Sequence, residues 1–176
     1  MQPKIQLMSG KVLDFQDPKP DQFTIEDIAL GLSRQPRFGG HTKSFYSVAQ
    51  HCITLSQVVP KGYKLQALMH DASEAFMGDL PTPLKHLLPE YMDIEEEVSD
   101  AIQEAFGFDT MSPLVEVADA RMLITERNAL LPSLDVLDWA EHKPYPIRIN
   151  PMPMDKAYGE FLKTYHRLKR DELCLS

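Results

Sequence analysis

Only two of the 176 residues are cysteine, Cys52 and Cys174, and they stand far apart with no CxxC spacing. That speaks against a disulfide framework or a structural zinc knuckle and fits a reducing, cytoplasmic setting. No stretch approaches the ~20 apolar residues a membrane span requires. The opening MQPKIQLMSGKVLDF also lacks an apolar run of signal-peptide length, so a soluble protein with no membrane partner is expected. Basic residues are in the minority, 18 Lys and Arg against 26 Asp and Glu, for a formal charge of −8. This argues against a nucleic-acid polymer as partner, because such binding depends on cations neutralising phosphates. A small phosphorylated ligand stays open, since one local cluster of Arg and Lys, or a bound cation, suffices for it. Tryptophan occurs once, at Trp139, in a segment without a readable pattern. What is present is apolar material, 43% of the residues, enough for one core, and residues 1–176 are expected to form a single domain.

The pattern along the chain is mainly α. Two short runs, IQLM and KVLDF, flank Ser9-Gly10 and predict a small N-terminal β-hairpin. TIEDIALGLS predicts a helix with Thr24 as N-cap and Asp27 at the capping-box position. RQPRFGGHTKSF predicts a loop, since Pro36, Gly39 and Gly40 oppose regular structure. Helices are expected from about Ser47 to Val59, from Lys64 to Met77 with a stop at Gly78, and over DIEEEVSDAIQEAF, with a proline-rich loop holding a short helical turn between the last two. Ser112 and Pro113 open a long helix reaching about Leu131; the segment from Pro132 to Pro153 reads as loop, and DKAYGEFLKTYHRLKR as a final amphipathic helix.

The segment LQALMHDASEAFMGDL carries apolar residues at helical spacing yet places His70, Asp71 and Glu74 within five positions, with no Lys or Arg among them. Adjacent helical residues diverge by about 100°, so His70 and Asp71 reach one ion only at the edge of the helix. Further donors must come from elsewhere. His51 sits between Val48 and Leu55 on an apolar stripe, where a hydrogen-bonded core histidine is an alternative reading. Asp119 has Val115, Met122 and Leu123 on its own face, where an ionised carboxylate costs several kcal/mol unless paired. Two imidazoles and two carboxylates balance a divalent cation, and this donor set suits zinc, cobalt or manganese better than calcium or magnesium. Cys52, beside His51, reads as a small buried hydrophobe.

The arrangement of His51 in SVAQHC, His70-Asp71 and Glu74 in MHDASEAFMGDLPTPLK, and Asp119 in VADARM resembles the HD-domain metal-dependent phosphohydrolases. HDASE followed by GDLPTPLK is, more narrowly, similar to the deoxynucleotide 5'-phosphohydrolases of that superfamily, the bacterial 5'-deoxynucleotidases and the phage enzymes that strip the phosphates from dATP. The resemblance implies a single-domain HD-type helical bundle in which His51, His70, Asp71 and Asp119 hold the metal and Glu74 handles the attacking water. It further implies that Arg37 and Lys85 meet phosphate, Phe38 lies against base or sugar, and Asp79 binds the deoxyribose hydroxyl beside Pro81. His41 is a further phosphate candidate from the same loop as Arg37. A small deoxynucleotide, dATP or dAMP among others, is then the expected partner, and relatives often form homo-oligomers. The rival readings are a sensor that holds nucleotide or metal without turnover, which has no need of Glu74, and an HD enzyme for cyclic or hyperphosphorylated nucleotides, which would not call for GDLPTP.

Overall fold

The computed structural model describes residues 2–108, 112–133 and 142–174, and it is mostly helical with one two-stranded antiparallel hairpin. The hairpin pairs β1 (Lys4–Gln6) with β2 (Val12–Asp14), Ile5 opposite Leu13. α1 spans Ile25–Arg34, and Thr24 caps it by accepting from the Asp27 backbone N–H at 3.1 Å. The Asp27 side chain does not complete the expected capping box: its carboxylate accepts from the Thr24 hydroxyl at 2.7 Å and from the Ser9 backbone N–H at 3.0 Å. It thereby fastens the hairpin loop to α1, a long-range contact that no local pattern carries.

α2 (Val48–Val58), capped by Ser47, is the central helix and packs against α1, α7 (Pro113–Leu130) and α8 (Met154–Leu173) as well as α3 (Lys64–Met69). One apolar cluster gathers Val48, Ala49, Cys52 and Ile53 of α2 with Ile28 and Leu32 of α1, Leu68 and Phe161. A second gathers Leu55 and Val59 with Tyr46, Val115, Met122 and Leu130. Removing a Leu, Ile or Phe from water is worth about 1.5–3 kcal/mol, so α2 is held from both sides. The acidic helix α6 begins earlier than its charge run, at Pro89, and runs to Phe106; the short turn within the proline-rich loop is α5 (Thr82–Lys85). Residues 142–153 form no regular element, as expected, and Trp139 lies outside the described residues. Among the described residues no helix is long and apolar enough to cross a membrane.

The expected helix from Lys64 to Met77 is broken. α3 ends at Met69, residues 70–73 form turns, and α4 covers only Glu74–Met77. Backbone N–H groups of Ala72, Glu74 and Phe76 donate to the carbonyls of Met69, Asp71 and Ser73, each three residues back, so the ladder tightens across the His70-Asp71 doublet. Apolar spacing does not distinguish such a tightened stretch from an α-helix. Just past the break α1 approaches α4 closely: a Cβ on Gly31 would lie 2.8 Å from the Cα and Cβ of Ala75, and closer still to its carbonyl oxygen. Because the neighbour is backbone, it cannot swing aside. Gly31→Ala is therefore expected to destabilise the protein by about 3 kcal/mol, the upper end for overpacking, measured by urea unfolding. A loss under about 1 kcal/mol would show that α4 shifts freely.

Candidate metal and phosphate site

His51 projects from α2 with no exposed surface, and its Nδ1 donates to Glu126 Oε1 at 2.8 Å. His70, in the turn after α3, uses its Nδ1 to donate to the carbonyl of Ala67 at 3.0 Å. With Nδ1 committed on both rings, the two Nε2 atoms face each other 3.3 Å apart. Asp71 Oδ2 lies 3.1 Å from the Nε2 of His70 and 3.7 Å from that of His51. Asp119 Oδ1, from α7, lies 3.0 Å from His51 Nε2 and 3.9 Å from His70 Nε2, and makes no hydrogen bond. Donors bound to one ion at about 2.1 Å stand about 3.0 to 3.4 Å apart in octahedral or tetrahedral order. Three of these separations, 3.0, 3.1 and 3.3 Å, fall in that range and two, 3.7 and 3.9 Å, are longer; His51, His70 and Asp119 form one group that could hold an ion, with Asp71 beside His70, and an orphaned carboxylate oxygen among facing imidazole nitrogens is what a cation resolves.

The electrostatics agree. Burial pulls His70 down, but the Asp71 carboxylate outweighs it and the imidazole stands well above its ordinary pKa; burial lifts Asp71, and His70 nonetheless holds it far below the carboxylate range. Asp119 is likewise lowered, against burial, by His51. The pocket asks for positive charge at its centre. Cys52 also approaches His70 and Asp71, but burial pushes its thiol up to about 11, so it remains a neutral core residue, as its place in the apolar cluster indicates. The structure corrects one expectation: the Asp119 side chain is not sealed in an apolar face but is 33% exposed, at the floor of a cleft.

That cleft, about 530 Å³, is walled by Arg37, Phe38, Glu74, Asp79, Pro81 and Lys85 above Asp71 and Asp119. His86 and Leu123 also line it, although nothing in their spacing singles them out. Glu74 is 6% exposed; burial and the charges of Asp71 and Asp79 raise it well above the usual carboxylate value, and its Oε2 has no partner. Its Oε1 lies 3.4 Å from Lys85 Nζ, which also reaches Glu95 Oε1 at 2.7 Å, so the lysine spans two acids. Asp79 is raised by burial, in opposition to Arg37, whose Nη1 lies 4.0 Å from it.

Arg37 and Phe38 belong to a loop whose ends are pinned: the Arg37 N–H donates to the Tyr46 carbonyl at 2.9 Å and the Val48 N–H to that of Gln35 at 3.0 Å. Between them Phe38 takes a left-handed backbone, φ 56°, followed by Gly39 at φ 58°. For a bulky residue this conformation costs on the order of 1 kcal/mol, and such strain concentrates at binding sites. It leaves the Arg37 guanidinium 5.6 Å from the Phe38 ring centre, with the buried Nε unpartnered. His41, by contrast, is exposed and not among the cleft residues. One functional candidate escapes the sequence reading: Glu126, wholly buried two helical turns beyond Asp119. An acid on the stripe of Met122 and Leu130 was a signal of the same kind that exposes Asp119.

A helical fold that brings one histidine from a central helix, a His-Asp doublet from the turn that follows the next and an aspartate from a third to one cleft is the arrangement in which an HD-type metal site could form. The comparisons agree. Residues 44–133 match the family described as 5'-deoxynucleotidase YfbR-like, and the chain belongs to that family. The matched span holds every metal-site candidate together with Glu74, Asp79, Lys85 and Glu126; Arg37 and Phe38 precede it. The chain is 40% identical to the uncharacterized protein YfdR of Escherichia coli (strain K12), over 97% of this chain and 98% of that protein. It is 33% identical to the uncharacterized protein RCAP_rcc00048 of Rhodobacter capsulatus, over 61% of this chain and 60% of that one. To the 5'-deoxynucleotidase plu3092 of Photorhabdus laumondii it is 32% identical, over 62% of this chain and 49% of that protein.

Proposed function

We propose that the protein is a metal-dependent phosphohydrolase that removes the 5'-phosphate group or groups of deoxynucleotides, dAMP and dATP among them, to give the deoxynucleoside. The observation that carries this reading is the gathering of donor atoms from His51, His70 and Asp119, with Asp71 beside His70, beneath a cleft that also holds an unpartnered Glu74 oxygen and a buried arginine. The donor set suits zinc, cobalt or manganese, and the ion, when bound, supplies an acidified water and polarises a phosphoryl oxygen. Glu74, whose carboxyl burial and the charges of Asp71 and Asp79 hold well above its ordinary value, accepts the proton of the attacking water through its free Oε2. Arg37 offers its unpartnered Nε to an equatorial phosphoryl oxygen, and Lys85 holds Glu74 in place while adding a second cation to the same wall. Phe38 presents its ring to base or sugar. Exposed Leu84, Leu87 and Leu88 support a homo-oligomer, which sedimentation would detect.

The sugar supplies the test. With the Asp79 carboxylate accepting from the 3'-hydroxyl and Pro81 against the 2' edge, a ribose would bury an unpaired hydroxyl, at about 1 to 3 kcal/mol. Phosphate release with manganese, cobalt or zinc is expected to favour dAMP over AMP, and dATP over ATP, by roughly ten- to a hundredfold in kcat/KM, with the margin shrinking in Asp79→Asn. Equal rates on deoxy and ribo substrates would overturn the sugar assignment, and nucleotide binding without any phosphate release would point to a sensor.

A further inference from the structure

We infer that Glu126 is a positioning residue that presents His51 to the metal and, from the same carboxylate, keeps the Arg37 guanidinium off the metal ligand Asp71; the second half rests on the phosphate role proposed for Arg37. Asp119 and Glu126 are seven residues apart on α7, two turns along one face, so the helix sends one acid to the cleft floor and the other beneath it. Glu126 has no exposed surface. Its Oε1 accepts from His51 Nδ1 at 2.8 Å and from the Tyr46 hydroxyl at 2.9 Å, and its Oε2 from Arg37 Nη2 at 3.4 Å. Three donors from three separate segments satisfy a carboxylate that burial would otherwise penalise severely.

Each contact has a chemical consequence. An acceptor at Nδ1 keeps the hydrogen on that nitrogen and leaves the Nε2 lone pair aimed at His70, Asp71 and Asp119, the point where a metal is held. Arg37 Nη1 is 3.9 Å from Asp71 Oδ2, within reach of a direct ion pair that would compete with a cation for that oxygen. The pull of Glu126 on the other guanidinium nitrogen holds it short of closing. Tyr46, fully buried in the second apolar cluster, fixes the carboxylate against rotation.

Glu126→Gln preserves volume but replaces one acceptor with an NH₂ group, which must face either a histidine N–H or a guanidinium, donor against donor. Zinc affinity, read by chelator competition with no substrate present, is expected to fall ten- to a hundredfold in Glu126→Gln, the scale for losing an outer-shell partner, and less in Glu126→Asp, which keeps the charge. In the zinc-loaded unmodified protein, nitrogen-detected spectra of labelled histidine are expected to show His51 coordinated through Nε2 with a slowly exchanging Nδ1–H; this arm needs no variant to fold. Unchanged zinc affinity in a folded Glu126→Gln protein, or coordination through Nδ1, would overturn the inference. Neither readout involves a nucleotide, so failure of the phosphohydrolase reading shows separately, as absent phosphate release by a protein that still binds zinc through Nε2.

Discussion

Asp119→Ala protein, prepared in excess zinc or cobalt, is expected to retain no metal after desalting and to release no phosphate from any deoxynucleotide. Asp119 is the one candidate ligand contributed by α7, and its Oδ1 stands 3.0 Å from His51 Nε2 with no hydrogen bond to occupy it. Removing it leaves three donors around the ion and unbalances its charge, so affinity should fall by more than the roughly hundredfold upper range for outer-shell losses. Metal binding also stabilises the fold, by about 2.7 kcal/mol at a hundredfold excess over Kd, and the variant should lose that increment. The metal-free variant should be slightly less stable than metal-free parent, not more. Asp119 has its pKa lowered in the folded protein, so its ionised form contributes stability above the ordinary value of 3.8, a contribution lost as pH falls through the folded value. Atomic absorption and thermal unfolding with and without zinc read both effects. Full metal occupancy in the variant would remove Asp119 from the ligand set.

Glu74→Gln is the second large effect and separates chemistry from binding. The side chain lies in the cleft wall with Oε2 free and is not one of the four candidate ligands, so metal content should be unchanged while kcat falls a hundredfold or more with KM little altered. The same substitution should stabilise the metal-free protein at neutral pH. Burial, Asp71 and Asp79 raise the Glu74 pKa above its ordinary 4.5, so parent stability drops as pH climbs from that value through the raised one, whereas glutamine does not titrate. The stability difference should be small near pH 4, widen above it and then level off. Denaturant unfolding across that range tests the sign, and turnover near the parental rate would exclude Glu74 from the proton transfer.

What the sequence by itself determined follows from short-range rules. The Ser9-Gly10 hairpin, the caps at Thr24 and Ser112, and the turn at Thr82–Lys85 are each written within a few residues, because a cap or a turn is satisfied by its own neighbours. The four candidate ligands were legible as candidates for a related reason: a histidine or an acid at a position with apolar neighbours at helical spacing stands out without coordinates, although for His51 a hydrogen-bonded core histidine stayed open. Tertiary structure decided the rest. Whether the doublet lay in a helix was not legible, because apolar spacing is nearly the same for a tightened turn and an α-helix, and only the backbone ladder distinguishes them. Asp119 partly exposed in the cleft, Lys85 shared by two acids, and His41 left outside the cleft all depend on which elements meet. Glu126 shows the limit best: its place on the stripe was visible, but its partners lie 75, 80 and 89 residues away, and only the packing of α7 against α2 and the Arg37 loop brings them within hydrogen-bonding reach.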